Sequence, residues 1–396
     1  MRRSSFVFGA AAALLIAGTA AAQTPDLTFG GQVRPRYERR RPVNTSFTSM
    51  RVRASLNAIV DPRVRVFIQL QDVRLWGAET NTLADYSADN FDLHQGYAEI
   101  SGLPWVGGLL RAGRQEIGFG DERLMGAVNW TQQGRAFDGL RYTRGFGQRT
   151  DLNLVALKTS ENSAPANLRD ASVLGAYSTI QTMSAGAFDA YAFLNARSGP
   201  AGDRQKTVGG RWLDAAGALS WRTEASYQFG TRGGADVAAY MFGLEGTYGL
   251  RGGAAGVTLW YDYLSGDPTP AAGNVKVFST LYATNHPYYG LYDLFTDIPT
   301  QTAGLGLQDP AIKFFVRPMP ALYAHLDLHA FSAAQQGFLT TKNLADEADL
   351  ALKYQISPAL GLSGGYSYVH ALDGIKEIGT LAHDGAWAWL MVDTKF

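Results

Sequence analysis

The feature that most constrains this chain is a strict alternation of apolar and polar residues. Between positions 27 and 38 the two kinds of residue separate onto opposite faces of an extended chain: Leu27, Phe29, Val33 and Tyr37 against Thr28, Gln32, Arg34, Arg36 and Glu38. The pattern returns at 50–57 and at 64–71. Because successive side chains of a β-strand point to opposite faces, each stretch predicts a strand with one apolar and one polar face.

Similar alternation recurs along the rest of the chain, at 91–101, 109–117, 136–144, 150–159, 172–182, 187–197, 206–213, 218–230, 238–248, 256–266, 302–316, 321–332, 343–356, 359–369 and 385–396. With the first three stretches this makes about eighteen strands. A barrel wall between lipid and water must alternate in this way along every strand. We therefore predict an all-β fold, a transmembrane antiparallel β-barrel of about eighteen strands.

The connections between the predicted strands alternate in length. After even strands they are short and turn-like, as at Asp61-Pro62 and Ser357-Pro358. After odd strands they tend to be longer and polar, as at 77–90, 118–135, 160–171, 267–301 and 370–384. Outer-membrane barrels have short periplasmic turns and long extracellular loops. An even number of strands also returns both ends of the chain to the periplasm.

The first residues predict export. Residues 1–22 contain two arginines, an apolar run and a triplet of alanines ending at Ala22, which is the pattern of a cleaved signal peptide. The apolar run is too short to span a bilayer permanently. We predict a signal peptide at 1–22, cleavage near Ala22, and a mature domain at 23–396 in the outer membrane of a Gram-negative cell.

Composition excludes several classes of function. Lys+Arg and Asp+Glu balance at 35 each, so no global charge favours nucleic acid. There is no cysteine, which rules out disulfides and thiolate metal sites. The G-x-S-x-G pattern around Ser363 lies inside an alternating strand, without the helix that a catalytic serine needs. We predict no catalytic residues, no metal and no cofactor, although a metal at His325 and His329 stays a minor alternative.

The last strand ends on an aromatic residue. Ala386, Ala388, Leu390, Val392 and Phe396 share the face that would meet lipid. A terminal Phe on such a strand resembles the signal by which the barrel assembly machinery recognises unfolded substrates. We predict that Phe396 closes the sheet against the first strand and serves that recognition. Tryptophans at 76, 105, 212, 221, 260, 387 and 389 are read as interfacial belts rather than as sugar-stacking platforms.

The polar strand faces are rich in arginine. The residues predicted to line the lumen are Arg34, Arg36, Arg51, Arg53, Arg65, Arg211 and Arg222, together with the acids Glu38, Glu99 and Asp349. Arginines on neighbouring strands and at alternate positions form a ladder with roughly the spacing of carboxylates on a polyuronate, about 5–7 Å. The alternative is that these arginines pair with luminal acids and brace a wide barrel. Both interpretations remain open.

Two longer stretches carry a resemblance to a known family. GRQEIGFGDERLMGAVNWTQQGRAFDGLR, from Gly113 to Arg141, and TLYATNHPYYGLYDLF, from Thr280 to Phe295, look like signature segments of the alginate export family of outer-membrane barrels. The resemblance implies an eighteen-stranded barrel whose electropositive pore passes an anionic exopolysaccharide outward. From the first segment it implies a loop and pore-mouth network: Arg114, Asp121, Glu122, Arg123, Arg135 and Asp138.

These observations favour a passive channel for an anionic polysaccharide or a small anionic solute, embedded in outer-membrane lipid. A general or substrate-specific porin for nutrient uptake is the alternative, and an outer-membrane enzyme is less favoured. The segment 267–301 is unusually aromatic for a loop, with residues such as Tyr282, Tyr288 and Tyr292. Because such a segment is costly to expose to water, we predict that it folds inward as a constriction or lid.

Overall fold

The computed structural model describes residues 24–77, 91–161, 170–183, 186–199, 202–269 and 273–396. The predicted signal peptide at 1–22 and its cleavage site near Ala22 lie outside the described residues, as do most of the predicted loops 77–90 and 160–171.

In the described part of the chain, eighteen strands form one sheet. In chain order they are β1 Asp26–Arg41, β2 Thr45–Asp61, β3 Val64–Leu75, β4 Phe91–Ser101, β5 Leu109–Gln115, β6 Phe137–Phe146, β7 Thr150–Ser160, β8 Ala171–Gln181, β9 Ala187–Arg197, β10 Asp203–Ala216, β11 Leu219–Arg232, β12 Ala235–Leu250, β13 Ala255–Leu264, β14 Leu307–Met319, β15 Leu322–Ser332, β16 Asn343–Ser357, β17 Leu360–Ala371 and β18 Gly385–Lys395.

The sheet closes on itself, because every strand pairs antiparallel with its sequence neighbours and β1 also pairs with β18. The final residue completes the closure. Gly31 and Phe396 exchange two backbone hydrogen bonds, of 2.8 and 3.1 Å. The Phe396 ring lies over Gly31, where a Cβ would collide with it. Closure removes the free sheet edges that would otherwise invite pairing with other chains.

Side chains alternate across the wall as the sequence predicts. On β16, Leu350 and Leu352 point outward and are 45% and 43% exposed, whereas Glu347 and Asp349 point inward and are buried. Large apolar side chains are exposed in the same way on the outer positions of most strands. An apolar outer face and a polar inner face are the requirement of a barrel that stands in lipid. The predicted antiparallel barrel of about eighteen strands is confirmed.

The two ends of the barrel differ. One end carries the short connections, such as 62–63, 217–218 and 320–321, and we call it the turn end. The other end carries the longer connections and is called the loop end. Two of the connections at the loop end, 116–136 between β5 and β6 and 265–306 between β13 and β14, turn back into the barrel. The sequence placed 118–135 among the outer loops, and the structure corrects this.

Short helical turns interrupt some of the connections: a 3-10 turn Arg251–Gly253, α1 Ile298–Gln301 and α2 Asp373–Ile378. Within the described ranges no helix has the length and apolar character needed to cross a membrane. The predicted strand at 302–316 begins too early, since β14 begins only at Leu307. Residues 302–306 belong instead to the inward segment, where Leu305 is fully buried.

Candidate functional site

The predicted luminal residues lie on the inner face of the wall. Of the seven arginines, Arg65 keeps a side chain that is 40% exposed, and the other six are buried. The acids Glu38, Glu99 and Asp349 are buried on the same face. Arg34 and Arg51 are direct cross-strand partners. Like charges placed opposite each other destabilise a sheet unless acceptors separate them, so the acceptors around these arginines matter.

The acceptors come from the 116–136 segment. Arg34 donates to the carbonyl oxygens of Asn129 at 2.8 Å and Thr131 at 2.8 Å, and to the side chain of Gln132 at 3.0 Å. Arg51 donates to the carbonyls of residues 131 and 132, both at 3.4 Å. The wall arginines therefore bind the segment's backbone where it crosses to β1 and β2.

The neighbouring arginines bind the same segment. Arg36 donates to the Trp130 carbonyl at 2.7 Å and pairs with Glu38 at 2.8 Å. Arg53 pairs with Glu116, at the start of the segment, at 3.1 Å. The guanidinium groups of four predicted pore-lining arginines are thus hydrogen-bonded or ion-paired to the 116–136 segment.

The opposite end of the segment reaches β11 to β13. Arg123 is 2% exposed and forms an ion pair with the fully buried carboxylate of Asp262. Its guanidinium also lies 4.6 Å from the ring centre of Tyr288. Burial opposes the charge of Arg123, but the carboxylate of Asp262, together with Glu224 and the neighbouring tyrosines, outweighs burial and raises the pKa of the guanidinium well above its usual value. Arg123 therefore stays charged and fixes this end of the segment to the wall.

A second ion-pair group lies beside it. Asp121 pairs with Arg211 and stands 3.6 Å from Arg222. Arg211 also pairs with Asp189 at 2.6 Å, and Arg222 with Glu245 at 2.9 Å. These two luminal arginines are consequently neutralised by nearby carboxylates, as the bracing interpretation expects.

The two inward segments are joined to each other. The Tyr282 N–H donates to the Leu124 carbonyl at 2.9 Å, and the Gly126 N–H donates to the Tyr282 carbonyl at 2.8 Å. Glu122 accepts hydrogen bonds from the Thr284 hydroxyl and from the Ala127 N–H. Arg135 donates to the Tyr282 carbonyl as well. The segments therefore form one body inside the barrel rather than two independent loops.

The 265–306 segment has its own contacts with the wall. The N–H groups of Leu291 and Tyr292 donate to Asp349 at 3.0 Å and to Glu347 at 2.7 Å. Arg40 donates to the Tyr292 carbonyl at 2.8 Å. Burial raises the pKa of Tyr288 and of Tyr289, so both keep their hydroxyl proton. The segment folds inward as the sequence indicates, and its effect on conduction remains a prediction.

Aromatic rings fill the space between the two inward segments and β18. Trp130 stacks on His286 with ring centres 4.3 Å apart and meets Trp389 edge-on at 4.8 Å. Trp387 is fully buried, and Trp260 is 9% exposed. The belt prediction is therefore wrong for 260, 387 and 389, which point inward. It remains reasonable for Trp76, Trp105 and Trp212, which are 60%, 97% and 43% exposed.

A basic group near the turn end is left partly open. Glu99 accepts from Arg65 at 2.9 Å and from Arg111 at 2.6 Å. Arg111 is in turn the cross-strand partner of Arg141, which donates to Asn153 at 2.8 Å. The side chains of Arg65 and Arg111 are 40% and 20% exposed. A solute in the lumen therefore reaches these two arginines more easily than the buried arginines that bind the 116–136 segment.

The opposite wall carries acids. Asp327 and Asp349 are cross-strand partners on β15 and β16, and both are buried. Asp309 on β14 lies 2.8 Å from the ring of His329. Among the described residues, no group of three or more acidic or histidine side chains is arranged to hold a metal ion.

The residues of the predicted loop and pore-mouth network separate into two places. Asp121, Glu122, Arg123 and Arg135 lie inside the barrel, whereas Arg114 and Asp138 form an exposed pair at 2.9 Å. On β5 and β6 the buried residues Gln115 and Phe137 take the inner positions, so Arg114 and Asp138 take the outer ones. The structure does not bring all six residues together.

Two cavities lie on either side of the joined segments. The one near the turn end has a volume of about 620 Å³, and Asp121, Arg222 and Trp260 contribute to its lining. The one near the loop end has a volume of about 510 Å³, and Arg36, Arg40 and Asp293 contribute to its lining. The inner segments thus stand between two charged vestibules.

Solved structures that this chain resembles include outer-membrane proteins of Pseudomonas aeruginosa. OprD aligns with a TM-score of 0.66 and 14% identity over 95% of this chain and 96% of its own. OccK3 (OpdO) gives 0.64 and 15% over 94% and 96%, and OpdK with vanillate gives 0.62 and 11% over 94% and 98%. At such identities the likeness establishes the fold, that of outer-membrane porins.

A comparison with curated protein sequences gives no match. A family profile described as alginate export matches residues 26–382, which span nearly the whole barrel. The family and the fold are those of outer-membrane channels. This chain therefore belongs to the alginate export family.

Proposed function

We propose that this protein is a passive outer-membrane channel for carboxylate-bearing anions, and that an alginate-like anionic polysaccharide is its cargo. Membership in the family supports a channel, and the luminal arginines support the preference for anions. We propose no chemical step, because a channel of this kind needs only to lower the barrier to passage. The observation that carries the proposal is the open basic group of Arg65 and Arg111 near the turn end.

The charges of this group favour anions. Three arginines, at 65, 111 and 141, stand around the single carboxylate of Glu99. Inside a barrel with low-dielectric walls, such an excess of one sign attracts the opposite ion more strongly than on an open surface. Guanidinium groups also match carboxylates through paired hydrogen bonds. A polyuronate would exchange contacts from one arginine to the next.

The test is ion selectivity in planar lipid bilayers under a salt gradient. We expect a reversal potential that shows preference for chloride over potassium, and a smaller preference in Arg65→Gln/Arg111→Gln. Arg114→Gln, which removes an arginine from the outer face, should leave the reversal potential unchanged. Preference for potassium in the unmodified channel would overturn the proposal.

A second candidate is uptake of small carboxylates. The observation that favours it is the joined body of 116–136 and 265–306, which stands in the middle of the lumen. A polymer passes only if this body moves, whereas a small solute needs a much narrower path. The similar barrel OpdK has been crystallised with vanillate, which is a small aromatic carboxylate.

Proteoliposomes distinguish these cargoes. Entry of a monocarboxylate without entry of uronate oligomers would favour uptake of small nutrients, and entry of both would favour the polysaccharide. A passive pore does not fix the direction of transport, so the driving gradient decides between export and import.

We also propose a route of export and assembly. Cleavage of 1–22 near Ala22 would release the mature chain 23–396, and the barrel assembly machinery would recognise the last strand through Phe396. Amino-terminal sequencing of the mature protein should begin at Gln23. Deletion of Phe396 should reduce the folded protein in outer membranes without changing its synthesis; an unchanged folded fraction would contradict the recognition.

A further inference from the structure

The outer wall at the closing seam carries a groove of about 250 Å³ that the channel does not use. Its floor is formed by two small residues of β18, Ala386 and Ala388. Arg39 and Tyr366 flank Ala388 from β1 and β17, because both are its cross-strand partners. Arg41 and Tyr368 flank Ala386 in the same way. The groove is thus a row of arginines, a row of alanines and a row of tyrosines.

The groove faces outward. On β18 the inward positions are held by the buried Trp387 and Trp389, and the alanines alternate with them. On β1 the inward positions are held by the buried Arg36 and Glu38, and Arg39 alternates with them. A solute in the lumen therefore cannot reach the two arginines, but the surrounding membrane can.

Among the described residues, no carboxylate forms an ion pair with Arg39 or Arg41. The contrast is with Arg114, another outward arginine near the loop end, which pairs with Asp138 at 2.9 Å. Two adjacent guanidinium groups without an acid attract a doubly charged anion, and phosphate is the group that arginine binds best in this geometry. Alternate positions on a strand are about 6.6 Å apart, so one phosphate or two neighbouring ones would reach both arginines.

The surface below the arginines is apolar. One step toward the turn end, the outer positions are Tyr37 on β1 and its partner Leu390 on β18, which are 45% and 53% exposed. Gly364 of β17 completes this row and leaves it shallow. A ligand that fits the whole surface must have an anionic head at the loop end and acyl chains that run toward the turn end.

The nearby carboxylate of Asp384 does not pair with Arg39 or Arg41, so it does not neutralise their positive charge. It accepts hydrogen bonds from the Tyr368 hydroxyl at 2.7 Å and from the Ala371 N–H at 3.0 Å, and it lies 3.1 Å from the ring of His370. These contacts tie the acid to residues of β17 rather than to the arginines of β1.

We infer that this groove binds a phosphorylated, multiply acylated lipid of the outer leaflet, of the lipid A type. Arg39 and Arg41 hold the phosphate, the alanine floor lets the head group approach the sheet closely, and the acyl chains lie along Leu390 and Tyr37. Such a lipid would cover the seam between β1 and β18.

The test uses the full mature chain refolded in detergent micelles and three probes: diphosphorylated lipid A, its dephosphorylated form and inorganic phosphate. Binding is measured by native mass spectrometry and titration. We expect Arg39→Gln/Arg41→Gln to weaken binding of diphosphorylated lipid A by about thirtyfold. The control Arg114→Gln should change it less than about twofold, because that charge is already paired.

A second variant tests the groove without changing charge. Ala388→Leu fills the floor of the groove and should weaken binding of diphosphorylated lipid A. The heat-dependent shift of the barrel on gels, which reports folding, should stay unchanged. Equal binding of lipid A by the double arginine variant and the unmodified protein would overturn the inference, as would equal weakening by Arg114→Gln. If inorganic phosphate bound as tightly as lipid A, the groove would be a site for free phosphate and the proposal of a lipid ligand would be overturned.

Discussion

Arginines fix the 116–136 segment at two places, which we call its two ends: residues 129–132 against β1 and β2, and Arg123 against β13. The two ends work in opposite ways. At β1 and β2, arginines of the wall donate to neutral carbonyls of the segment, as Arg34 does to Asn129 and Thr131. At β13, the segment's own Arg123 meets the buried carboxylate of Asp262. A carbonyl that loses its donor is readily solvated near a water-filled lumen, whereas a buried carboxylate that loses its cation is not. The second end is therefore the less tolerant of change.

The largest effect is expected from Arg123→Met. The substitution leaves the fully buried Asp262 without its cation, and breaking such a pair typically costs about 3–5 kcal/mol. We expect the midpoint of urea unfolding in detergent micelles to fall accordingly. The double variant Arg123→Met/Asp262→Leu should recover most of the loss, since it removes both charges. An unchanged midpoint in the single variant would show that this pair does not fix the segment.

A smaller effect is expected from Arg34→Gln at the other end. It removes hydrogen bonds from a charged donor, each worth about 1.5–3 kcal/mol at most, to acceptors that water can replace. We expect little change in unfolding but a larger single-channel conductance with more fluctuations, because one end of the segment is released. Arg114→Gln is the matched control, as Arg114 lies on the outer face and pairs with Asp138 rather than with the segment. Equal behaviour of the two variants would contradict the anchoring role of Arg34.

At Glu116, where the 116–136 segment begins, the contribution to stability should depend on pH. Burial alone would raise the pKa of Glu116, but the hydrogen bond with His94 and the charge of Arg53 bring it below the usual 4.5. A lowered pKa in the folded state means that Glu116 stabilises the fold above about pH 4.5 and that this contribution disappears as the pH falls through the lowered value. The difference in unfolding midpoint between the unmodified protein and Glu116→Gln should therefore shrink on acidification below pH 4.5. A difference that is constant with pH would exclude this role.

The wall could be predicted because its rule is local. Lipid on one side and water on the other impose a period of two on every strand, so positions such as Arg34 and Leu350 are assigned to faces from their neighbours alone. The same rule fails where the pattern is weak. On β5, the sequence LLRAGRQ gives no contrast, and the inward Arg111 and the outward Arg114 could not be told apart.

The interior could not be predicted, because long-range contacts decide it. Nothing in the local sequence of 118–135 shows that its carbonyls meet wall arginines about a hundred residues away, as the Thr131 carbonyl meets Arg34. Trp387 and Trp389 alternate with Ala386, Ala388 and Leu390 of the lipid face, so the alternation itself placed them inward against the belt interpretation. What the local sequence did not show is that Trp130 packs against them there. A partial signal existed for 267–301, whose aromatic content is too high for an exposed loop. The 116–136 segment mixes charged and apolar residues and has only two aromatic residues, Phe119 and Trp130, so it carried no such signal.

The smallest effect is expected at the outer face, from Asp138→Asn. Asp138 pairs with Arg114, but its side chain is 61% exposed, and exposed pairs contribute about 0–1 kcal/mol. We expect no measurable change in the unfolding midpoint or in ion selectivity, in contrast with the buried Asp262. The substitution instead leaves Arg114 without an acid on the outer wall, in the condition of Arg39 and Arg41. If unpaired outward arginines attract phosphorylated lipid, Asp138→Asn should increase the amount of diphosphorylated lipid A bound, and the dephosphorylated form should show no such gain. A fall in unfolding midpoint as large as that of Arg123→Met would instead show that exposure does not separate the two pairs.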